Sequence, residues 1–126
     1  LVSHWTEGRG GTYNPMRREA LELIRVRKDL ASVMEEIRKE SGRPVKVVAT
    51  RAAETAGRLE FPEFKHLLAE QDCSYLLMLG TAWGLADTIF EDADYVLAPI
   101  RGNTGYNHLS VRSAAAIILD RVLGGR

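Results

Sequence analysis

Short apolar runs rich in valine and leucine alternate along the chain with longer segments in which apolar residues recur every three or four positions. Three runs predict buried strands, namely VKVVAT from Val45, YLLMLG at Tyr75–Gly80 and DYVLAPI at Asp94–Ile100. A fourth stretch, LIRVR at Leu23–Arg27, has the period of a strand as well. Strands that are separated by helical segments favour an α/β fold with a parallel sheet and right-handed crossovers.

The helical segments have recognisable first and last residues. Asn14 can cap a helix whose first position is Pro15, where the missing amide hydrogen costs nothing. Asp29 can cap a second helix, which runs to about Glu40 and ends at Ser41–Gly42. Further helices are predicted from Phe61, over Gly84–Ala93, and from about His108 to Leu123.

The last of these helices is the most apolar segment of the chain. It has no polar residue from Ala114 to Leu119, which predicts burial on most of its sides. The chain of 126 residues is 45% hydrophobic and 27% charged, enough for one globular core. Because neither an internal repeat nor a composition break is visible, residues 1–126 are predicted to form a single domain.

Charge and cysteine content exclude several classes of protein. The formal net charge is zero, so binding to nucleic acid through overall charge is not implied. Both ends are basic, however, and could form a local positive patch if they meet in space. The single cysteine, Cys73, excludes an internal disulfide and fits a reducing cytoplasm. No run approaches the roughly 18 apolar residues of a membrane span, and no signal-peptide pattern opens the chain.

Candidate chemistry lies in three loops that follow the predicted strands, because ligands of open parallel sheets bind at the carboxyl ends of the strands. The loops are VVATRAAETAG from Val47, MLGTAWGLAD from Met78 and APIRGNTGYNHLS from Ala98. In the second loop, Gly80 and Gly84 allow a sharp turn and a close approach of the backbone to a ligand. Trp83 between them is interpreted as a half-buried aromatic anchor.

The third loop concentrates hydrogen-bonding side chains where the last helix begins. Asn107, His108 or Ser110 could each simply cap that helix. Capping does not explain Arg101 and Arg112, because a guanidinium beside a mostly apolar helix must reach an anion, a carbonyl or water. The loop therefore indicates a binding site as well as a helix cap.

Several common sites are excluded by their missing motifs. The second loop lacks the Lys-Ser/Thr of a P-loop and the GxGxxG spacing of a dinucleotide site, and the GxSxG of serine hydrolases is absent. His4, His66 and His108 are far apart, and none stands in a HExxH setting. No metal site is predicted.

Taken together, the second and third loops resemble the last two motifs of the SPOUT superfamily, the trefoil-knotted methyltransferases that use S-adenosylmethionine. In the ribose-methylating branch the last motif runs Pro-Met-x-Gly, three residues, then Ser-Leu-Asn-Val-Ser-Val-Ala. Here Pro99–Gly102 is followed by three residues and then by Tyr106–Arg112, without a gap.

A closer resemblance is to a small bacterial family of knotted RNA methyltransferases, sometimes fused to the tRNA guanine-N1 methyltransferase. The matching stretches are HWTEG at His4–Gly8, YNP at Tyr13–Pro15, VVAT at Val47–Thr50, GTAWGL at Gly80–Leu85 and RSAAAIILDR at Arg112–Arg121. They span nearly the whole chain. The family domain has further strands and helices before HWTEG, so we expect this chain to be its C-terminal portion.

The resemblance implies an α/β fold with a Rossmann-like parallel sheet, helices on both faces and a C-terminal trefoil knot, in which S-adenosylmethionine is bound. It implies a homodimer and a tRNA or rRNA substrate. The residues that it places around the cofactor are Thr50, Leu79, Gly80, Gly84, Ile100, Gly102, Asn107, Leu109 and Ser110. The candidate catalytic residues are His108, as base or orienting group, with Arg101 and Arg112 holding an RNA phosphate or the cofactor carboxylate.

One departure from the pattern limits the expected reaction, and two alternatives stay open. The ribose-methylating branch has Asn-Glu after the first glycine of its second motif, where this chain has Thr81 and Ala82, so ribose methylation by that mechanism is not expected. The alternatives are a catalytically silent cofactor- or RNA-binding module that assists another methyltransferase, and a Rossmann-like scaffold that serves only in dimerisation.

Overall fold

The computed structural model describes residues 14–125, which divide into two compact units, one ending at Val33 and the other beginning at Met34. The first helix, α1, spans Pro15–Glu22, and the Asn14 side chain caps it by accepting a 3.0 Å hydrogen bond from the Arg17 amide. The stretches HWTEG and Tyr13 lie outside the described residues.

The second helix, α2, spans Leu30–Ser41. Asp29 Oδ1 accepts a 2.7 Å hydrogen bond from the Ser32 amide at its start, and Gly42 follows its end with a φ of 69°. This left-handed conformation is one that glycine adopts without strain, and it ends the helix. The predicted starts of both helices and the predicted end of α2 are confirmed.

The prediction of a strand at LIRVR was wrong. The Ile24 amide bonds to the Leu21 carbonyl, which prolongs the last turn of α1, and the chain from Ile24 to Lys28 has no regular structure. Leu23 and Val26 are exposed. A strand needs a neighbouring strand to accept its backbone hydrogen bonds, and no strand of the described chain pairs with this segment.

Three parallel strands form the sheet in the order β2-β1-β3. Strand β1 spans Val45–Ala49, β2 spans Ser74–Met78, and β3 is the two-residue strand Tyr95–Val96. Val45 pairs with Ser74 at one edge of β1, and Val48 pairs with Tyr95 at the other. The predicted α/β class and parallel sheet are confirmed, and the third strand is shorter than the apolar run that predicted it.

The core lies between this sheet and two helices, one that connects β1 to β2 and one that follows β3. Helix α3 spans Phe61–Glu70, α4 spans Asp87–Asp92, and α5 spans Val111–Leu123. Val48 and Leu97 pack with Phe64 of α3 and with Ile118 and Val122 of α5. Successive side chains of a strand point to opposite faces. The neighbours of Val48 along β1 are buried as well, so both faces of the central strand are covered.

Helix α5 is buried on one side only, which corrects the expectation that it is buried on most sides. Ile118 and Val122 face the core, whereas Leu119 is 47% exposed and Leu123 is 66% exposed. Together with exposed Ala116, the two leucines occur at the helical spacing of three and four residues and form one apolar stripe. Helix α5 thus has two apolar faces, and the described chain packs against only one of them.

Asp94 links β1 to the segment that enters β3. Its Oδ2 accepts a 2.7 Å hydrogen bond from the Val47 amide, and its own amide donates to the Val47 carbonyl. We expect Asp94→Ala to lower the free energy of unfolding by about 2 kcal/mol, because the buried Val47 amide loses its acceptor. Urea denaturation measures the loss.

Two further variants test the cause of that loss. Asp94→Asn keeps an acceptor oxygen at the same place and is expected to cost less than Asp94→Ala. Asp92→Ala, at the exposed end of α4, is expected to change little. Equal losses for all three variants would contradict the role of the hydrogen bond.

Candidate ligand cavity at the strand ends

The three loops predicted from the sequence meet at the carboxyl ends of the strands and surround one cavity of about 730 Å³. Its lining comes from residues 50–53, 79–85, 98–100 and 107–111, with Asp87, Phe90, Ala114 and Ile118. Most of the lining residues are apolar, and a minority carry polar or charged side chains. This composition and volume are typical of a site for a small organic ligand.

Most residues predicted to contact a ligand do line this cavity. Those on the cavity wall are Thr50, Leu79, Gly80, Gly84, Ile100, Asn107, His108, Leu109 and Ser110. Gly102, Arg101 and Arg112 are not among the lining residues. The structure therefore brings together three segments that lie up to sixty residues apart in the sequence.

Two hydrogen bonds hold the loops in register around the cavity. The Thr50 hydroxyl donates to the Met78 carbonyl over 2.8 Å and joins the ends of β1 and β2. The Asn107 amide group donates to the Ala52 carbonyl over 2.7 Å and joins the third loop to the first. Asn107 thus helps to fix the shape of the cavity, through a contact with the Ala52 backbone that the sequence did not predict.

The second loop forms a tight turn whose ends touch. The Gly84 amide donates to the Thr81 carbonyl over 2.7 Å, and Gly84 has a φ of 80°. A Cβ on Gly80 would lie 2.5 Å from the Gly84 carbonyl carbon and 2.6 Å from the Leu85 nitrogen. Gly80 is therefore required for a close approach of two backbone segments, and Gly84 for a left-handed backbone conformation.

Trp83 stands at the tip of this turn and is 99% exposed. The interpretation as a half-buried anchor was wrong, because the hydrogen bond that closes the turn directs residues 82 and 83 away from the core. The indole nevertheless belongs to the lining of the cavity. It therefore lies at the mouth of the cavity.

Arg101 is bound to two carboxylates, Glu54 in the first loop and Glu60 directly before α3. Its Nε and Nη2 donate to Glu54 over 2.8 and 3.2 Å, and its Nη1 lies 3.6 Å from Glu60. Arg58 bridges the same two carboxylates. The hydrogen bond from Arg101 lowers the pKa of Glu54 below its ordinary value, so both groups stay charged near neutral pH.

At the start of α5, the helix cap and the candidate catalytic groups are provided by different residues. The Ser110 hydroxyl accepts a 3.2 Å hydrogen bond from the Ser113 amide and caps the helix. His108 is exposed and lines the cavity, with its ring centroid 6.1 Å from that of Tyr106. Arg112 is exposed on the first turn and makes no ion pair within the part of the chain that is described.

Several lining residues were not selected from the sequence, among them Arg51, Asp87 and Phe90. The Arg51 guanidinium lies 4.3 Å from the ring centroid of Phe90, and Asp87 stands in the first turn of α4. Arg51 directly follows Thr50, a predicted site residue, and could have been selected from the sequence for that reason. Asp87 and Phe90 became lining residues only through the direction in which α4 leaves the second loop.

Two other kinds of feature are absent from residues 14–125. None of the helices there is long and apolar enough to cross a membrane. Within the same range, no group of three or more His, Cys, Asp or Glu side chains could hold a metal ion.

Known proteins with similar sequences match this chain over nearly its whole length. Residues 1–124 match a family model described as SAM-dependent RNA methyltransferase. A tRNA (guanine-N(1)-)-methyltransferase of Oleidesulfovibrio alaskensis is 45% identical over 124 residues, which are 98% of this chain and 28% of that protein. The protein of the same name from Nitratidesulfovibrio vulgaris is 44% identical over 124 residues, again 98% of this chain and 28% of the relative.

A third relative is shorter. An uncharacterized protein of Aquifex aeolicus is 36% identical over 121 residues, which are 96% of this chain and 59% of that protein. The chain thus spans little more than a quarter of the first two relatives, 28% of each, so their name describes proteins that are much longer than this chain.

Proposed function

The chain belongs to the family of SAM-dependent RNA methyltransferases, and from this premise we propose that the cavity between the three loops binds S-adenosylmethionine and that the chain methylates tRNA or rRNA. The observation that carries the proposal is the convergence of the three loops on one cavity of about 730 Å³. On this proposal the chain is a single domain of the knotted SPOUT type, working in the cytoplasm.

The residues of the cavity fit this cofactor. Leu79, Ile100 and Leu109 offer an apolar slot for an adenine ring, and Gly80, which has no side chain, lines the cavity with its backbone. The amino-acid end of the cofactor carries a negatively charged carboxylate and a positively charged ammonium group. Arg51 and Asp87 are the lining residues of opposite charge that could bind its carboxylate and its ammonium.

When bound, the cofactor supplies an electrophilic methyl group on a sulfonium. The chain must then position an acceptor atom and accept its proton if the acceptor is a hydroxyl or a ring nitrogen. His108 is suited to that task, because a neutral imidazole has an unprotonated ring nitrogen that can accept a proton and this one reaches the cavity. Ser110 and Asn107 are engaged with backbone groups and hold the loop that presents it.

The three arginines of the proposal divide into two roles. Arg101 is already paired with Glu54 and Glu60, so we assign it to holding the first and third loops together. Arg51 and Arg112 are exposed and make no ion pair with any described residue, so they can take an RNA phosphate. Arg51 is thus a candidate for either the cofactor carboxylate or the RNA.

The exposed stripe on α5 supports the homodimer. Apolar side chains at Ala116, Leu119 and Leu123 would be buried by the same face of a second copy. We expect Leu119→Lys combined with Leu123→Lys to convert a dimer to monomers in sedimentation equilibrium. Leu23→Lys, a similarly exposed leucine of the first unit, serves as control and is expected to leave the dimer intact.

Isothermal titration calorimetry with S-adenosylmethionine tests the cofactor site, and incubation with total RNA followed by nucleoside mass spectrometry tests methyl transfer. Binding together with a methylated nucleoside is expected. A folded chain that binds no cofactor would refute the proposal. Binding without any transfer would instead favour the silent module that assists another methyltransferase.

A further inference from the structure

Trp83 is the most exposed large apolar side chain of the described residues, and nothing in its own loop requires a tryptophan. The turn is closed by the backbone of Thr81 and Gly84 and by the small size of Gly80. A polar residue at the tip would leave these contacts unchanged and would avoid exposing an indole to water. The position therefore calls for a ligand that uses the ring itself.

The surroundings of the indole indicate what kind of ligand. Trp83 and His108 reach the cavity from different loops, and the exposed Tyr106 ring lies beside His108. Arg51 adds a planar cation at the same cavity. Flat aromatic groups combined with guanidinium groups are what proteins use to bind unpaired bases, by stacking on the rings and by attracting the phosphates.

We propose that Trp83 is the stacking platform for an unpaired base of the RNA substrate at the mouth of the cavity, so that the chain acts on single-stranded, looped or flipped nucleotides. This inference rests on the proposed function and adds the structural class of its substrate. An acceptor atom inside a duplex cannot enter a cavity between loops, so its nucleotide must leave the stack. The indole replaces part of the stacking that the base gives up.

Tryptophan fluorescence tests this directly. The chain has two tryptophans, so Trp5→Phe leaves Trp83 as the single reporter. The probes are short oligoadenylate and oligouridylate RNAs, first as separate single strands and then annealed as a duplex. We expect the single strands to quench Trp83 and the duplex to quench it much less.

Affinity measurements give the matched comparison. Trp83→Ala is expected to weaken single-strand binding by about tenfold or more, and Trp83→Phe, which keeps a ring, is expected to restore most of it. Leu23→Ala, another exposed apolar residue, is expected to bind RNA as the parent does. The parent, both Trp83 variants and Leu23→Ala are expected to bind S-adenosylmethionine with similar affinity in calorimetry, because the proposed adenine slot is formed by Leu79, Ile100 and Leu109 and Trp83 lies at the mouth of the cavity.

Four results would overturn the inference. They are equal quenching by duplex and single strand, unchanged RNA affinity in Trp83→Ala, a loss of cofactor affinity in Trp83→Ala, and a change of oligomeric state in that variant. The last two would make Trp83 a cofactor contact or a subunit contact. A parent chain that binds no cofactor refutes the proposed function instead, whereas normal cofactor binding without any effect at Trp83 refutes this inference alone.

Discussion

Replacing Gly80 with alanine is expected to weaken S-adenosylmethionine binding by at least about tenfold and to lower the free energy of unfolding by about 2 kcal/mol. The added methyl carbon would lie 2.5 to 2.8 Å from backbone atoms of Gly84 and Leu85. Backbone cannot rotate away as the end of a side chain can, so the turn must open. The same turn is a wall of the cavity, and its opening moves the proposed adenine slot.

A second glycine in the neighbouring loop provides the control. A Cβ on Gly105 meets no atom within 4 Å, and its φ is not in the left-handed region, so Gly105→Ala changes the third loop only by one exposed methyl group. We expect it to bind the cofactor as the parent does. Calorimetry gives both affinities, and thermal unfolding shows that each variant is folded. Unchanged cofactor affinity in a folded Gly80→Ala variant would remove the second loop from the site.

The elements that the sequence predicted correctly depend on local signals. Asn14 and Asp29 accept hydrogen bonds from amides three residues away, and Gly42 takes the conformation that ends α2. Such contacts need no other part of the chain. The buried strand at Val45–Ala49 was predicted as well, because a run of β-branched residues of that length fits the centre of a parallel sheet.

The elements that were missed depend on distant partners. LIRVR has the pattern of a strand, but β1 already has a neighbour on each side, and neither is that segment. The apolar sequence of α5 predicts contact surfaces without saying whether the same chain supplies both of them. Leu119 and Leu123 show that it supplies one, at least among the described residues.

The candidate site shows the same division. The glycines and polar residues of the loops could be selected from the sequence, because ligands of parallel sheets gather at the strand ends. The role of Arg101 could not, since its partner Glu54 lies 47 residues away in sequence. Because of that pairing, Arg101 holds two loops together. Arg112, by contrast, has no carboxylate partner among the described residues.

His108→Ala is expected to lower the rate of methyl transfer by about 100-fold or more, with cofactor affinity changed only a few-fold. The side chain reaches the cavity, whereas the cap of α5 and the link between the loops are provided by Ser110 and Asn107. Its removal should therefore take away a proton acceptor and leave the fold intact. Rates are measured at saturating cofactor and RNA, so that losses of binding do not enter.

Two comparisons separate proton transfer from positioning. A neutral imidazole accepts a proton at its unprotonated ring nitrogen, so a variant without that nitrogen distinguishes proton transfer from hydrogen bonding. His108→Gln keeps a hydrogen-bonding group without a proton acceptor of this kind and should be as slow as His108→Ala. His66→Ala, on the exposed side of α3, is the control. If His108→Gln transferred methyl groups as fast as the parent, His108 would only orient the acceptor and would not accept its proton.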